Sequence, residues 1–567
     1  MTTSARAVAR ALVPTVAAAL VAAGAAMPAH AVSTDQSYWV PVDGQIVVEG
    51  HGFGHGHGMS QYGAEGAALA GKTYTDILDF YYPGTTWSKV RGQVRVLIGE
   101  NGTSPLAVSP TPGLTLTDLG DGATYPLPDS NGATRWRISV APDGASVVAY
   151  LSGRWHRYRP GGKDELVGDG QFSADGPLTL WTPSGPREYR GALRAATPTP
   201  GATYRDTVNV LSMDDYVKGV VPSEMPASWD PQAVEAQAVA ARTYATWSRN
   251  QYPRRYYQIC DTSACQVYGG VAAEDPRSNA AVDATRRQIL TYDGKPAFTQ
   301  FSSSDGGWTS AGSEPYLPAQ ADPYDGWTGN TMHDWTATVD ADRLESAYPS
   351  IGRLRRLLVT ERDGNGDWEG RVETMVLDGT RSSVTISGDS FRWEFGLRSD
   401  WFTIQPTPII ARWSRIGGDR STLGPVKSAE YPVHDGSAQA FDGGRIYYSR
   451  ATGAHELYGP ILAAYRAGGG PKSTLGLPTS PVRARAGGFR AGFQNGVIYS
   501  RSDLGTMALT GPVADAYVAA GGLRKSGLGW PTEGTFATRA GQRANFEHGY
   551  IVWQRASDST RVVVTSP

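Results

Sequence analysis

The chain has 567 residues, and its 52 lysines and arginines nearly balance its 54 aspartates and glutamates. A chain of this length exceeds what one hydrophobic core organises, so it predicts two or three domains. After residue 31 no apolar run reaches the roughly 18 residues that a membrane-spanning helix needs, which excludes a transmembrane segment from the expected organisation.

The first 31 residues have the composition of a secretory signal peptide. Arg6 and Arg10 precede an apolar segment rich in alanine, valine and leucine, and Ala29-His30-Ala31 fits a signal-peptidase site. We therefore expect residues 1–31 to be a leader and the protein to be exported. No cysteine follows the cleavage site, so a lipid anchor is not expected.

Residues 50–64 are rich in glycine and histidine. Glycine at every second position allows the backbone to approach a ligand or another strand closely. In an extended chain, His51, His55 and His57 share one face. These imidazoles could bind zinc or line a sugar cleft as donors, although a zinc site needs a fourth ligand that the sequence does not reveal. A tight turn without chemistry is the third alternative.

Residues 94–205 contain short segments of alternating apolar and polar residues, such as 135–140 and 145–151. Turn residues interrupt them about every ten positions, which predicts antiparallel strands. We find no motif with evident chemistry here and expect the region to shape a cleft.

Glu224 lies between two predicted helices, in the sequence Val-Val-Pro-Ser-Glu-Met-Pro. Ser212 and Asp215 have the spacing of a capping box, which predicts a short helix ending near Val221. Asp230 followed by proline predicts the start of a second helix. Prolines on both sides are expected to present Glu224 on a stiff turn.

A glutamate between packed helices loses solvent, which raises the pKa of its carboxyl toward neutrality and suits it to acid catalysis. The alternative is a surface glutamate at a helix end.

The only two cysteines, Cys260 and Cys265, lie in a chain that we expect to be exported. A disulfide is the economical interpretation. Zinc is the alternative, and the absence of histidine from residues 250–270 counts against it.

Residues 410–567 form a repeat array. A Leu-Gly motif begins at residues 423, 475 and 528, and a phenylalanine follows each copy by 18 residues. Such a period predicts stacked units that are each too small to bury a core alone. This part holds 18 basic and 10 acidic residues, whereas the preceding part is acidic. A solvated charge bias or a plain spacer are the alternatives to a binding role.

Five ordered blocks resemble the SpoIID/LytB family, whose enzymatic members are lytic transglycosylases of bacterial peptidoglycan. They are the segment from Tyr216 to Pro226 with Gln237 to Ala245, Cys260 to Tyr268, Ile289 to Pro296, Ser302 to Thr309, and Phe391 to Ser399. The Gly-His-Gly block of residues 52–64 resembles the end of the family domain but precedes the strand-like residues 94–98, which resemble its beginning. We interpret this order as a circular permutation. The repeats resemble the LGFP repeat of actinobacterial cell-wall proteins.

The sequence therefore predicts an α+β fold: a permuted catalytic domain over residues 32–409, with a core at about 46–404, antiparallel β regions and a helical active-site segment, and then a mainly β module over 410–567. The resemblance implies Glu224 as the catalytic residue. It implies seven substrate-binding residues: Gln237, Arg242, Tyr244, Ser302, Ser303, His55 and Gln61.

The expected activity is cleavage of peptidoglycan glycan strands between N-acetylmuramic acid and N-acetylglucosamine, leaving 1,6-anhydromuramyl ends. The motif of Glu224 offers no second acid, so elimination fits better than two-carboxylate hydrolysis; for hydrolysis, Asp214, Asp215 and Asp305 are the nearest candidates. We predict no metal and no cofactor. The expected location is the cell wall, with the repeats on anionic wall polymers and no nucleic-acid partner. The alternative is a non-catalytic binder that activates another wall hydrolase.

Overall fold

The computed structural model describes residues 31–565. The predicted signal peptide therefore lies outside the described residues, apart from its last position. The fold is α+β, with many antiparallel sheets and a β-rich repeat module at the C-terminal end, as predicted.

The N-terminal part of the chain contributes to several sheets rather than to one. β2 lies between two strands from far along the chain, and the short β3 leads directly into a helix. The elements are β1 (Val32–Trp39), β2 (Gln45–His51), β3 (Met59–Ser60), α1 (Gln61–Leu69), α2 (Tyr74–Tyr81), β4 (Thr86–Lys89) and β5 (Gln93–Leu97).

The region predicted to be antiparallel β forms most of two sheets, of six and seven strands. Buried and partly exposed residues alternate along strands such as β7 and β9, which is the pattern of a sheet with one face in the core. Its strands are β6 (Leu106–Val108), β7 (Thr115–Asp118), β8 (Thr124–Pro126), β9 (Arg135–Val140), β10 (Ser146–Ser152), β11 (Arg154–Tyr158), β12 (Gly170–Ser173), β13 (Leu178–Thr182), β14 (Gly185–Tyr189), β15 (Ala192–Ala196) and β16 (Asp206–Ser212).

Two helices and the strands after them complete the largest hydrophobic core. Ser212 caps the first helix through Asp215 and Asp230 caps the second through Gln232, so both predicted starts are correct. The elements are α3 (Met213–Glu224), α4 (Pro231–Gln251), β17 (Ile259–Cys260), α5 (Pro276–Ala284), β18 (Gln288–Tyr292), β19 (Lys295–Pro296) and β20 (Phe301–Ser302).

The end of α3 differs from the prediction. The helix includes Pro222 and ends at Glu224, so the carboxyl lies on the last helical turn and not on a separate stiff turn. Ser223 Oγ donates to Gly219 O and Met225 N donates to Val221 O, which keeps the chain helical past the proline. Pro222 removes only one intrahelical hydrogen bond, since the helix stops two residues later.

A second hydrophobic cluster joins β2 to residues 335–404. Its sheet partners for β2 are β21 on one side and β25 on the other. The elements are β21 (Asp334–Asp340), α6 (Ala341–Ala347), β22 (Leu354–Arg362), β23 (Val372–Gly379), β24 (Ser383–Ser387), α7 (Gly388–Phe395) and β25 (Phe402–Ile404).

Three antiparallel sheets of four strands follow, one for each predicted repeat. The elements are α8 (Pro408–Arg415), β26 (Tyr431–Val433), β27 (Gly436–Phe441), β28 (Gly444–Ser449), β29 (Gly453–Tyr458), α9 (Gly459–Ala467), β30 (Arg483–Arg485), β31 (Gly488–Phe493), β32 (Gly496–Arg501), β33 (Gly505–Thr510), α10 (Gly511–Ala519), α11 (Gly522–Lys525), β34 (Phe536–Thr538), β35 (Gly541–Phe546), β36 (Gly549–Gln554) and β37 (Ser559–Val564).

Neighbouring repeats share their cores. One cluster contains Leu457 and Tyr465 before the second Leu-Gly motif and Leu475 and Phe493 after it. Tyr465 OH donates to Gly476 O at 2.8 Å, so the helix before the motif is fastened to the motif's glycine. Each repeat thus shares a hydrophobic core with the next repeat, as the repeat period in the sequence predicts. The exact domain boundaries stay a prediction.

Candidate active site

A cavity of about 260 Å³ opens at the end of α3. Segments distant in sequence meet there, because β3 pairs in parallel with β20 and Phe53 bridges to Ser304. The cavity is lined by His55, Glu224, Tyr244, Ser263, Ala264, Cys265, Val267, Gln300 and Phe301. The glycine-histidine segment therefore packs beside Glu224, whereas the circular permutation stays a proposal.

Glycine is required where this segment crosses β20. Gly54 has φ +119°, and a Cβ at this position would lie 2.6 Å from the Cβ of Ser302. Any side chain would push the two segments apart. The Gly54 backbone N–H donates to Arg398 O, which holds the segment from the other side.

Glu224 presents a half-buried carboxyl to the cavity. Its Oε1 accepts a hydrogen bond of 2.8 Å from the backbone N–H of Val267, which leaves Oε2 for other partners. Burial raises the pKa of the carboxyl above its usual range, while the Val267 hydrogen bond and the Gln61 side chain partly oppose the rise. A carboxyl of this kind holds its proton to higher pH than a surface glutamate does and can donate it to a bound group.

Gln61 begins α1, and its side chain lies beside the Glu224 carboxyl without lining the cavity. Its side chain is almost fully buried, and Nε2 has no hydrogen-bond partner of normal geometry among the described residues. The amide therefore has a donor to offer to the Glu224 carboxylate.

His55 is a neutral imidazole with a fixed tautomer. The backbone N–H of His57 donates to His55 Nδ1 at 2.9 Å, so the ring hydrogen is on Nε2. Burial, and then the charges of His57, Arg371 and Arg392, lower the pKa of His55 to about 3. His55 is thus a hydrogen-bond donor toward the cavity and not a proton source near neutral pH. The two imidazoles stack at 4.9 Å between centroids.

Tyr244 and the disulfide loop form the opposite wall. The Tyr244 ring stacks on Phe298 with centroids 5.6 Å apart, which fixes it on the cavity side of α4. Cys260 and Cys265 form a disulfide, as predicted, and the loop that it closes supplies Ser263 and Ala264 to the lining.

Two of the predicted substrate-binding residues do not line the cavity. Arg242 is fully buried, and its Nε donates to Asp214 at 2.8 Å. Its other nitrogens donate to backbone carbonyls of α5 and its neighbours, so the guanidinium ties α4 to α3 and α5. Gln237 is also fully buried, and its amide atoms have no partner among the described residues. Both side chains lie among packed helices, where no saccharide reaches them.

Ser302 and Ser303 lie beside the cavity and do not line it. Ser302 is buried under the glycine-histidine segment, and its Oγ has no hydrogen-bond partner among the described residues. Ser303 accepts a hydrogen bond on its carbonyl from Tyr62 N. The lining residues of this stretch are instead Gln300 and Phe301, which the family motif does not include and which no signal in the sequence separates from their neighbours.

A cluster of three further carboxylates lies at the loop of residues 302–307. Asp305, Asp322 and Asp325 are buried, with oxygens within 4.8 Å of one another. Asp325 accepts from Ser60 Oγ at 2.6 Å and pairs with His333 Nδ1 at 2.9 Å. Asp305 has a strongly raised pKa because of burial and then the charges of Asp322 and Asp325.

None of the three acids first considered as a second catalytic carboxylate lines the cavity. Asp214 pairs with Arg242, Asp215 bonds to the capping Ser212, and Asp305 belongs to the buried group. Glu224 is the only carboxyl among the cavity-lining residues that the structure describes.

The fold and this cavity together define an α+β protein with one protonatable carboxyl beside neutral hydrogen-bond donors, joined to a β repeat module. Residues 202–292 match the family model described as Stage II sporulation protein, SpoIID. Residues 423–473 and 475–524 match the LGFP repeat. The chain therefore combines a segment that matches the SpoIID family with two later segments that match the LGFP repeat.

Individual relatives cover parts of the chain. It is 39% identical over 136 residues to the amidase enhancer of Bacillus subtilis (strain 168), covering 23% of this chain and 18% of the enhancer. It is 29% identical over 260 residues to stage II sporulation protein D of Bacillus amyloliquefaciens, covering 41% of this chain and 70% of the relative. The protein of that name from Bacillus subtilis (strain 168) is 33% identical over 238 residues, covering 36% of this chain and 64% of the relative.

Among the helices of residues 31–565, none combines the length and apolar character that crossing a membrane requires.

Proposed function

We propose that this protein is a cell-wall lytic transglycosylase that cleaves peptidoglycan glycan strands, with Glu224 as both acid and base. The observation that carries the proposal is a single half-buried carboxyl, with a raised pKa, in a cavity whose other titratable groups are a neutral histidine and a tyrosine. Hydrolysis with two carboxylates needs a second acid at the bond, and the lining residues do not include one.

In the first step, protonated Glu224 donates its proton to the glycosidic oxygen between N-acetylmuramic acid and N-acetylglucosamine. The bond from that oxygen to the muramyl C1 breaks, and the leaving sugar keeps the proton as its 4-hydroxyl. Positive charge develops at C1 and the ring oxygen. The Glu224 carboxylate formed at this moment stabilises that charge across the small cavity.

In the second step, the same carboxylate takes the proton from the muramyl C6 hydroxyl as that oxygen bonds to C1. The product is a 1,6-anhydromuramyl end, and Glu224 is protonated again without water. Val267 N–H holds Oε1 throughout, so Oε2 is the atom that moves the proton. His55 Nε2 donates to a sugar oxygen and fixes the ring, while Gln61 Nε2 donates to the Glu224 carboxylate and fixes its position.

The SpoIID and LGFP matches support a role at the cell wall. We propose that the repeats hold the enzyme on the wall, that the protein is secreted, and that residues 410–567 bind anionic wall polymers. This part of the chain is basic, which favours such a partner over a neutral one.

The second candidate function is activation of another wall hydrolase without catalysis. It is favoured by the similarity to a protein named amidase enhancer, whose aligned segment is 39% identical. In that case the cavity would bind a glycan or a partner segment and Glu224 would move no proton.

The test is digestion of purified glycan strands, free of stem peptides, by the wild type and by Glu224→Gln. Glutamine keeps the shape and the bond from Val267 but cannot exchange the proton. We expect soluble fragments from the wild type and a loss of about 10² to 10⁴ in rate in the variant, the range for removal of acid-base catalysis. A purified amidase added to both proteins distinguishes the alternative: an activator raises the amidase rate equally with either residue and releases no fragments alone.

A further inference from the structure

A second cavity, of about 280 Å³, lies in the repeat module and is lined by arginine. Arg485 ends β30, Arg490 lies in β31, and Arg524 lies in α11. The floor is Tyr499 of β32, and the remaining lining residues are Val518, Gly521, Gly522 and Leu523. All of these residues belong to the second matched LGFP segment, 475–524.

The three guanidinium groups have no acidic partner. Among residues 31–565, none of Arg485, Arg490 and Arg524 forms an ion pair with a carboxylate. Arg490 lies over the Tyr499 ring at 5.9 Å, and Arg485 donates from Nη1 to the adjacent carbonyl of Ala484. Most of their donors are therefore directed to solvent or to the cavity.

Tyr499 lies close to two of these charges. The residue is 2% exposed, and burial raises the pKa of its hydroxyl while Arg490 and then Arg485 act in the opposite direction. Both guanidinium groups thus act on the floor of the same cavity. Three like charges around one cavity repel one another, and an anion that enters it relieves that repulsion.

The charges that line this cavity are not all repeated at the equivalent positions of the first repeat. The repeat spacing places Val433, Ala438 and Lys472 at the equivalent positions of the first repeat, so only one of the three charges is kept. Charge at these positions is therefore not required to build a repeat sheet, because the first repeat forms the same four strands without it. A structural role that all repeats share does not account for the three arginines.

We propose that this arginine cavity binds the anionic group of an acidic wall polymer, a phosphate or carboxylate carried on a saccharide chain. Guanidinium binds either group through two parallel hydrogen bonds, which a lysine cannot reproduce. The inference rests on the proposed attachment to the wall and is independent of the proposed cleavage. It assigns the attachment to one cavity and not to the net charge of the module.

The experiment measures binding of the full chain to immobilised poly(glycerol phosphate) and to polygalacturonate at physiological ionic strength, with dextran as the uncharged reference. The test variant is Arg485→Gln with Arg490→Gln. The matched control is Arg415→Gln with Arg420→Gln, which removes the same charge from exposed positions of the first repeat that form no ion pair among the described residues.

We expect the wild type to bind at least one acidic polymer. The affinity should fall about tenfold or more in the test variant, which loses charge-assisted hydrogen bonds, and less than about threefold in the control, which loses only diffuse attraction. The polymer that binds tells whether phosphate or carboxylate is the ligand. Equal weakening in both variants, tighter binding to single-stranded DNA than to either polymer, or no binding at all would overturn the proposal.

A charge-conserving variant, Arg485→Lys with Arg490→Lys, separates recognition from net charge and from misfolding. If the planar guanidinium matters, this variant also loses about tenfold in polymer affinity, although it unfolds at the same temperature as the wild type. Wild-type binding by the lysine variant would mean that charge alone attracts the polymer. The arginine variants keep the wild-type rate of glycan cleavage even if the binding proposal fails. Glu224→Gln, in contrast, keeps wild-type polymer binding even if the cleavage proposal fails.

Discussion

Two carboxylate sites that precede the repeats, Glu224 and the group around Asp325, differ in what surrounds them. Glu224 has one oxygen bonded to Val267 and the other free toward a cavity. Asp325 has every direction occupied, by hydroxyls, backbone amides, the Asn330 amide and His333. Burial alone therefore does not define an active site. An acid becomes useful for catalysis when burial raises its pKa and a cavity still gives substrate access to it.

The largest expected effect follows from the position of the Glu224 carboxyl. Glu224→Asp keeps the acid but withdraws it by one methylene group, which breaks the bond from Val267 or removes the group from the glycosidic oxygen. We expect the cleavage rate to fall about 10²-fold, the usual result of a 1 Å misplacement. Steady-state kinetics on soluble glycan fragments measures this. A wild-type rate in the aspartate variant would show that this carboxyl needs no fixed position.

The buried group predicts a contrast in stability. Asp325→Asn loses the charge that pairs with His333 and accepts fewer hydrogen bonds, so the free energy of unfolding should fall by about 3 kcal/mol. Asp305→Asn, in contrast, resembles the protonated acid that burial and Asp322 favour, and it should change stability by less than about 1 kcal/mol. Urea denaturation of both variants makes the comparison, and equal losses would contradict the distinction drawn between the two acids.

The disulfide allows the cavity wall to be loosened without touching Glu224. Replacing Cys260 and Cys265 together by serine should lower the free energy of unfolding by about 2 kcal/mol, because the closed loop is short. The cleavage rate should fall as well, since Ser263 and Ala264 line the cavity. Wild-type protein treated with reductant is the control and should show the same loss. An unchanged rate would mean that this wall does not hold substrate.

The last prediction concerns the loss of stability in acid that follows from the protonation of His55. Its pKa is about 3 in the folded protein and near 6.5 when unfolded, so the unfolded chain binds more protons between these values. The wild type should therefore lose stability as pH falls through that range, about 2 kcal/mol by pH 5. His55→Gln should lack this part of the loss. Thermal unfolding at several pH values measures the difference, and parallel curves would contradict the neutral imidazole.

Local rules predicted the elements around the site but not which side chains face the cavity. The caps at Ser212 and Asp230 are set by neighbouring residues, and both could be read from the sequence. The disulfide followed from having two cysteines in a chain expected to be exported. The helix through Pro222 was missed because a proline near a helix end costs only one hydrogen bond.

Arg242 and Gln237 lie away from the cavity for a different reason. Both lie on a long helix that is packed on several sides, so a polar residue there can serve the interior as well as a ligand. Arg242 is explained by Asp214, 28 residues earlier, a pairing that only the tertiary structure shows. Asp322 and Asp325 stand in a loop without periodic pattern, which offered no signal.

The central claim is that Glu224 cleaves by internal attack and not by water. The most direct measurement is digestion of purified glycan strands in water labelled with oxygen-18, followed by mass analysis of the new muramyl ends. Transglycosylation predicts 1,6-anhydro ends that carry no label. Reducing ends that contain the label would show hydrolysis, require a second carboxylate, and contradict the account of this cavity.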